Sequence, residues 1–109
     1  MLPTQCLCTK LRRASRGVTR IYDEALADVG LNAAQFSLLR YLQRLGQPSI
    51  SALAEAMGLE RSTLGRNLRV VEGRGLLQLG GGADQRSRQV ALTAAGVRVL
   101  EQGAPLWER

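Results

Sequence analysis

The sequence predicts a mainly α-helical domain with one small β-hairpin, and three observations lead to this prediction. Apolar residues recur every three or four positions through most of the chain, which is the period of an amphipathic helix. Glycine, asparagine, serine and threonine stand where these periodic stretches begin and end. Near residue 81 the period changes to alternation on both sides of a glycine-rich stretch, which is typical of a hairpin. At 109 residues, the chain has the length of a single domain.

The first two helices are predicted over residues 6–29 and from Asn32 onward. Gly30 is a helix stop signal, and the spacing of Asn32 and Gln35 is that of a capping box. The Gly-Gln-Pro segment 46–48 ends the second helix. The apolar stripe of the first helix comprises Leu7, Leu11, Ala14, Val18, Ile21, Tyr22, Ala25, Leu26 and Val29. The second helix is expected to bury Phe36, Leu39, Leu42 and Leu45.

Two shorter helices follow, and a tight turn at Gly58 joins them. Ser51 is the predicted N-cap of the third helix, which extends to about Met57. The fourth helix is expected to begin at residue 60 or 61 and to end near residue 72. Its apolar seam consists of Leu64, Leu68 and Val71. Two short helices joined by a glycine turn predict a helix-turn-helix.

The hairpin and a last helix complete the predicted fold. Segments 76–79 and 86–92 alternate in polarity and flank the glycine-rich turn. Thr93 is the predicted N-cap of the last helix. The apolar positions of that helix are Val97, Leu100 and Leu106.

The composition argues against several classes of enzyme. The chain has no histidine, so it lacks a Ser-His-Asp or Cys-His catalytic pair and any imidazole metal ligand. Cys6 and Cys8 are the only cysteines, and two thiolates cannot complete a tetrahedral zinc site. No apolar run approaches the roughly 18 residues that span a membrane, and the N-terminus lacks the apolar stretch of a signal peptide. We therefore expect a cytoplasmic protein with no catalytic residues, no metal and no cofactor.

The charge balance points to an anionic partner. The chain has 15 basic and 9 acidic residues, a formal net charge of +6, and a pI of about 10.6. Fourteen of the basic residues are arginines, and Lys10 is the only lysine. The planar guanidinium suits phosphates and guanine edges, so an arginine-rich domain indicates nucleic acid. A solvated surface encoded by an arginine-biased genome is the alternative interpretation.

The second helix of the predicted helix-turn-helix has a polar face suited to DNA. In such motifs, early positions of this recognition helix reach base edges, where arginine reads guanine and asparagine reads adenine. The alternative is the solvated side of an ordinary amphipathic helix. Three arginines against the single distal Glu72 favour DNA binding. The candidate residues are Arg61, Ser62, Thr63, Arg66, Asn67 and Arg69.

The hairpin adds a second basic element. Arg86 and Arg88 lie in it beside a single acid, Asp84, which we interpret as a turn former or as a support for a wing arginine. A basic hairpin beside a helix-turn-helix is a wing, able to place an arginine in a narrow minor groove. Residues 60–88 contain six arginines and three acids, so their net charge of +3 is half that of the chain.

These segments resemble the MarR family of winged-helix transcriptional regulators. Residues 84–96, with the sequence DQRSRQVALTAAG, are similar to the family's wing-to-helix signature D-x-R-[ST]-x-x-V-x-L-T-x-x-G. Residues 50–59 resemble the family's third helix, and residues 68–76 resemble the end of its fourth. The resemblance covers nearly the whole chain.

The resemblance implies a single winged helix-turn-helix domain over residues 1–109. Within it, residues 5–29 and 94–109 would be dimerisation helices and residues 31–92 the DNA-binding core. It also implies a cytoplasmic homodimer that binds a pseudopalindromic operator in double-stranded DNA, usually as a repressor. The fourth helix would enter the major groove and the wing the minor groove. The implied DNA contacts are Ser62, Thr63, Arg66, Asn67 and Arg86, and further Arg61, Arg69 and Arg88.

The first helix resembles that of the organic-hydroperoxide-sensing branch of the family. There an early cysteine is oxidised to sulfenic acid and tyrosines hydrogen-bond its thiolate. Cys8 matches the cysteine and Tyr22 one tyrosine, whereas the second tyrosine of that branch is replaced by Arg12. Neighbouring cations near a helix N-terminus favour a thiolate, the form that peroxides attack. Two alternatives stay open, namely that Cys8 is a packing residue of a dimer interface and that the effector is a small apolar or aromatic acid.

Two functions of other classes also stay open. A redox enzyme built on the paired cysteines would need a reductant, and the chain has neither histidine nor a C-x-x-C motif. A winged-helix module that binds another protein would often lack a basic recognition face, which this chain has.

Overall fold

A computed structural model describes residues 3–81 and 87–107. Five helices and one antiparallel two-stranded hairpin form the fold in this part of the chain, which confirms the predicted fold class. The elements are α1 (Pro3–Leu26), α2 (Ala33–Leu45), α3 (Ile50–Met57), α4 (Arg61–Gly73), β1 (Leu77–Leu79), β2 (Val90–Leu92) and α5 (Ala94–Trp107), and a 3-10 turn (Ala27–Val29) follows α1.

The predicted signals at the start of α2 are confirmed. The Asn32 side chain accepts a hydrogen bond from the Gln35 backbone N–H at 2.8 Å, and the Gln35 side chain accepts from the Asn32 N–H at 3.0 Å. This reciprocal pair satisfies two of the N–H groups that a helix start leaves without intrahelical partners. Gly46 follows the last residue of α2, as predicted.

The predicted N-cap of α3 is wrong. Ser49 is the N-cap, since its hydroxyl oxygen accepts from the Ala52 N–H at 3.1 Å, and Ser51 lies inside the helix. Ser49 and Ser51 are two residues apart and either could cap the helix by composition. The N-cap is the one whose backbone is extended, because the residues after it are already helical. Ser49 has that backbone because it pairs with Gln89 in an isolated antiparallel bridge. The start of α4 at Arg61 agrees with the prediction.

Thr93 connects the first turn of α5 to the loop before β1. Its hydroxyl donates to the Gly75 carbonyl at 2.6 Å and accepts from the Gly96 N–H at 3.1 Å, so it is the predicted N-cap. At Gly96 the backbone of α5 approaches the loop before β1 closely. A Cβ at this position would lie 2.1 Å from the Leu76 carbonyl oxygen. The Thr-x-x-Gly spacing of the sequence signature therefore has a packing reason.

The core lies between α2, α3, α4, the hairpin and α5. Leu45, which was expected to be buried, is 43% exposed because it lies in the last turn of α2, where the chain leaves the core. Leu38 is fully buried although the prediction omitted it. The buried residues are Leu26, Leu31, Phe36, Leu38, Leu39, Leu42, Ile50, Leu53, Ala54, Leu64, Leu68, Val71, Leu76, Leu77, Val90 and Leu100.

The first helix differs from the others because its apolar stripe faces solvent. The side chains of Leu7, Leu11, Val18 and Ile21 are 52–66% exposed. Only the last turns of α1 pack against the domain, where Leu26 is fully buried. Residues 7–21 thus form an arm, about 22 Å long at 1.5 Å per residue, that the rest of the described chain does not cover.

A search of the described residues for membrane spans found no helix whose length and apolarity would allow it to cross a bilayer.

Candidate nucleic-acid interface

The helices α3 and α4 form the predicted helix-turn-helix. The turn between them is Gly58, whose φ of +68° reverses the chain with little steric cost. The Leu59 N–H donates to the Ala54 carbonyl at 3.0 Å and closes this turn. This i to i−5 bond is typical of a helix that ends at glycine and fixes the direction in which α4 leaves.

The two faces of α4 are separated sharply. Leu64, Leu68 and Val71 are 0–1% exposed and hold the helix against the core. On the opposite face, at intervals of four and three residues, lie Ser62, Arg66 and Arg69, which are all exposed. The helix therefore presents two guanidinium groups and a hydroxyl to solvent from a rigid, buried base.

The remaining candidates on α4 lie at the edges of this exposed face. Thr63 and Asn67 are half-buried, one turn apart on one side of it. Arg61 is exposed at the first position of the helix, toward the other side. A helix that enters a DNA groove does so with the centre of its exposed face. In α4 this centre is formed by Ser62 and Arg66, and the residues at the edges of the face can contact the groove walls.

The base of the wing is connected directly to the start of α3. Strands β1 and β2 pair from Leu77 with Leu92 to Leu79 with Val90. The Val90 N–H donates to the Pro48 carbonyl at 2.9 Å, and the Ile50 N–H donates to the Arg88 carbonyl at 3.0 Å. These bonds add a short third segment to the sheet. Because of them, the wing and the helix-turn-helix share one rigid frame.

Arg88 belongs to this frame. It is half-buried, and its Nε donates to the Gly80 carbonyl at 3.3 Å across the neck of the hairpin. The Gly80 N–H donates to the Gln89 carbonyl at 2.7 Å beside it. Two wing residues of the prediction, Asp84 and Arg86, lie outside the described residues.

The redox candidates are far apart within one chain. Cys8 has a free, exposed thiol near the start of α1, and Tyr22 is half-buried near its end. They lie fourteen positions apart on one continuous helix, which is about 21 Å. A hydrogen bond between the two side chains of one copy is therefore excluded. The side chain of Cys6 lies outside the part of the chain that the structure describes.

Sequence reasoning missed two polar residues near α4 and α1. Arg74, the C-cap residue of α4, donates from its guanidinium to the Gly30 carbonyl. Asp23 in α1 accepts from the Ala33 N–H at 2.6 Å. Their partners are 44 and 10 residues away along the chain, so no local sequence signal could have identified them.

Comparison with known proteins identifies a family whose model matches this part of the chain. A model described as MarR family matches residues 29–87, which contain α2, α3, α4 and β1. No curated protein matches the sequence.

Solved structures of transcriptional regulators are similar to the chain. The M. tuberculosis regulator MosR in complex with DNA is 42% identical, with a TM-score of 0.83 over 92% of this chain and 73% of that one. BpsR of Bordetella bronchiseptica, whose DNA binding is regulated by 6-hydroxynicotinic acid, is 28% identical, with a TM-score of 0.84 over 99% and 78%. A mutant of E. coli MarR complexed with operator DNA is 23% identical, with a TM-score of 0.85 over 92% and 72%, and this likeness concerns the fold alone.

Proposed function

The chain belongs to the MarR family and is a DNA-binding transcriptional regulator, and we propose that it binds a pseudopalindromic operator as a homodimer and represses transcription. An oxidant or a small molecule would release the DNA. This regulator acts in the cytoplasm without catalysing a reaction. A protein-interaction module without specific DNA binding is not favoured, because the basic face of α4 would then have no use.

One observation carries the proposal, namely the exposed cationic face of α4 on a frame that also holds the wing. Arg66 and Arg69 point away from a seam that is 0–1% exposed, and β2 is bonded to the residues that start α3. An α-helix fits the major groove of B-DNA, and a hairpin beside it can follow the backbone into the minor groove. The hydrogen bonds between β2 and the start of α3 hold α4 and the wing in positions from which both could contact DNA at the same time.

The candidate residues divide into three proposed roles. Ser62 and Arg66, at the centre of the exposed face, would contact bases or nearby phosphates, with guanine the preferred partner of Arg66. Arg61, Thr63, Asn67 and Arg69 would contact the groove edges and phosphates. In the wing, Arg86 would enter the minor groove, Asp84 would support it, and Arg88, whose Nε is already bonded to the neck of the hairpin, would hold the wing close to the backbone.

The exposed stripe of α1 supports the homodimer. Exposed apolar side chains in a continuous row are costly in water and indicate a protein interface. The row is nearly symmetric about Ala14, since Leu7 and Ile21 lie seven positions from it, Leu11 three and Val18 four. An antiparallel pairing of two α1 helices about Ala14 would therefore place Leu7 opposite Ile21 and bury both stripes.

The same pairing bears on the proposed oxidant signal. It would bring Cys8 of one copy near Tyr22 of the other, a contact that 21 Å of helix prevents within one copy. A sulfenic acid formed there would alter the packing of the two arms. The rival signal is a small aromatic acid bound between the arms and the core, and the ligand of BpsR has that chemistry.

The direct test is binding to DNA from the region upstream of the protein's own gene, with excess random duplex as competitor. We expect reduced protein to retain the upstream DNA and protein treated with an organic hydroperoxide to release it. Cys8→Ser should keep binding after the treatment. Specific binding that ignores the peroxide would contradict the oxidant signal and leave the regulator. Absence of specific binding would contradict the proposed function.

A further inference from the structure

The connection between α1 and the DNA-binding core is short and is held at both ends. Six residues, 27–32, separate the two helices α1 and α2. Leu26 and Leu31, at the two ends of this connection, are 0% and 4% exposed and anchor it in the core. The Leu31 N–H also donates to the Leu26 carbonyl at 3.4 Å. We define this connection, with Asp23 and Arg74, as the arm junction.

Asp23 ties the arm to α2. Its Oδ1 accepts from the N–H of Ala33, the first residue of α2, at 2.6 Å. The N–H groups at the start of a helix have no partner within that helix, and a carboxylate is the strongest acceptor a side chain can offer there. The capping box formed by Asn32 and Gln35 already satisfies two other N–H groups at this end. The Asp23 bond therefore serves to fix α1 against α2 rather than to start the helix.

Arg74 ties the connection between α1 and α2 to the recognition helix. Its backbone N–H donates to the Val71 carbonyl at 3.1 Å, so the residue is fixed in the turn that ends α4. Its guanidinium reaches the carbonyl of Gly30, within the connection that follows α1. Gly30 has a φ of +76°, and a Cβ there would lie 2.8 Å from an Arg74 nitrogen. The glycine thus provides both the turn and the space for the guanidinium.

We propose that Arg74 and Asp23 are positioning residues that fix the angle between the dimerisation arm and the recognition helix α4, and so set the spacing of the two recognition helices. The inference rests on the proposed function, because the spacing matters only for a dimer on two half-sites. Neither residue needs to touch DNA for this role. A phosphate contact by the exposed Arg74 is the rival explanation.

The length of the arm makes the junction a sensitive point. A rotation of about 10° at the junction displaces a point 20 Å away by about 3.5 Å. That displacement is close to the rise of one base pair, about 3.4 Å. Half-sites of a symmetric operator are read one helical turn apart, so such an error removes one recognition helix from its register. Two hydrogen bonds at the junction therefore decide which operator spacing fits.

The first test measures the spacing without DNA. Val70, exposed on α4, is replaced by cysteine and spin-labelled in a chain whose Cys6 and Cys8 are serine. Pulsed electron paramagnetic resonance then gives the distance between the two labels of a dimer. We expect one narrow distribution for the parent, and a distribution that is broadened or shifted by 3 Å or more in Arg74→Gln and Asp23→Ala. Gly30→Ala should do the same without removing a charge.

The control is Arg44→Gln, which removes an exposed cation from the last turn of α2 and should keep the parent distribution. Circular dichroism confirms that each variant is folded. A parent-like distribution in Arg74→Gln and Gly30→Ala would overturn the proposal. A labelled protein without any intermolecular distance would overturn it as well, because the proposal requires two copies held at a fixed spacing.

The second test uses operators with one base pair inserted or removed between the half-sites. The parent should bind the native spacing at least tenfold more tightly than the altered ones. In Arg74→Gln this ratio of affinities should fall to about one third of the parent value or less, while the affinity for random duplex stays the same. A parallel loss on all duplexes, with a salt slope reduced by about one, would identify a phosphate contact and overturn the proposal. A parent that cannot distinguish operator from random duplex contradicts the proposed function instead, and the label distances remain decisive for the junction.

Discussion

The helices α1 and α4 are both amphipathic, but they use their faces in opposite ways. In α4 the apolar seam is buried and the arginine face is exposed, which leaves a polar surface for a partner. In α1 the apolar stripe is itself exposed, together with the arginines on the opposite side. The period of apolar residues predicts a helix in each case. The same period does not show whether the apolar face of a helix is covered by its own chain, as in α4, or is left for a second molecule, as in α1.

This difference favours a different kind of partner for each of the two helices. A row of exposed leucine, valine and isoleucine side chains gains free energy by leaving water, so its partner must be apolar. An exposed row of guanidinium groups on a rigid helix requires an anionic partner. We therefore propose the arm as the surface for a second copy and α4 as the surface for DNA.

The largest expected effect is on the arm. Val18→Glu places a charge in the exposed stripe and should weaken self-association and operator affinity at least 100-fold each, because two joined half-site contacts bind far more tightly than one. Sedimentation velocity and operator binding measure these effects. Arg16→Gln, an equal charge change on the opposite side of α1, should leave the dimer intact. A Val18→Glu variant that remains a dimer would show that the stripe is not the interface.

The second prediction concerns neighbouring residues on the two faces of α4. Leu68 is 1% exposed and Val70 is 53% exposed. Leu68→Ala should lower the free energy of unfolding by about 2–5 kcal/mol through loss of packing and a cavity. Val70→Ala should change it by less than about 0.5 kcal/mol. Urea unfolding at one fixed protein concentration measures both, and similar losses for the two variants would refute the assignment of the faces.

A smaller effect is expected for a base contact. Arg66→Ala should cost about 1–3 kcal/mol of operator affinity and relax the sequence preference at one position in each half-site. Arg44→Ala, which removes an exposed cation from the last turn of α2, should bind the operator as the parent does. Titrations against operators with single base changes provide the measurement. An Arg66→Ala variant with parental affinity and preference would remove this residue from the reading surface.

The smallest effect separates two serines at the start of α3. Ser49→Ala removes the side chain that accepts from the Ala52 N–H and should lower stability by about 1 kcal/mol. Ser51→Ala, inside the helix, should change stability by less than about 0.5 kcal/mol. Thermal unfolding at fixed concentration distinguishes them. The reverse order would return the N-cap to Ser51.

Signals contained in a few adjacent residues allowed much of the fold to be predicted. The capping box at Asn32, the turn at Gly58 and the N-cap at Thr93 each involve residues within five positions, and all are found in the structure. The polar face of α4 was predicted for the same reason, since a helix brings residues three and four apart together. The exposed positions of Ser62, Arg66 and Arg69 follow from that spacing.

The remaining features depend on parts of the chain that are distant in sequence. Ser49 is preferred to Ser51 because pairing with Gln89, 40 residues away, extends its backbone. The Arg74 to Gly30 contact spans 44 residues and has no local signature. Leu45 is exposed because the other elements pack elsewhere, and the stripe of α1 is exposed because its own chain does not cover it. The period of apolar residues predicts an apolar face on a helix, but it does not predict which part of the chain or which other molecule covers that face.

The most direct test of an operator-bound homodimer is a hydroxyl-radical footprint of the reduced protein on DNA from upstream of its own gene, with random duplex in excess. We expect two protected segments of similar sequence, related by a two-fold axis and centred about 34–36 Å apart along the DNA. Val18→Glu should abolish both segments together, since the arm joins the two copies. A single protected segment that is unaffected by Val18→Glu, or no protection in excess of that on random duplex, would contradict the operator-bound homodimer.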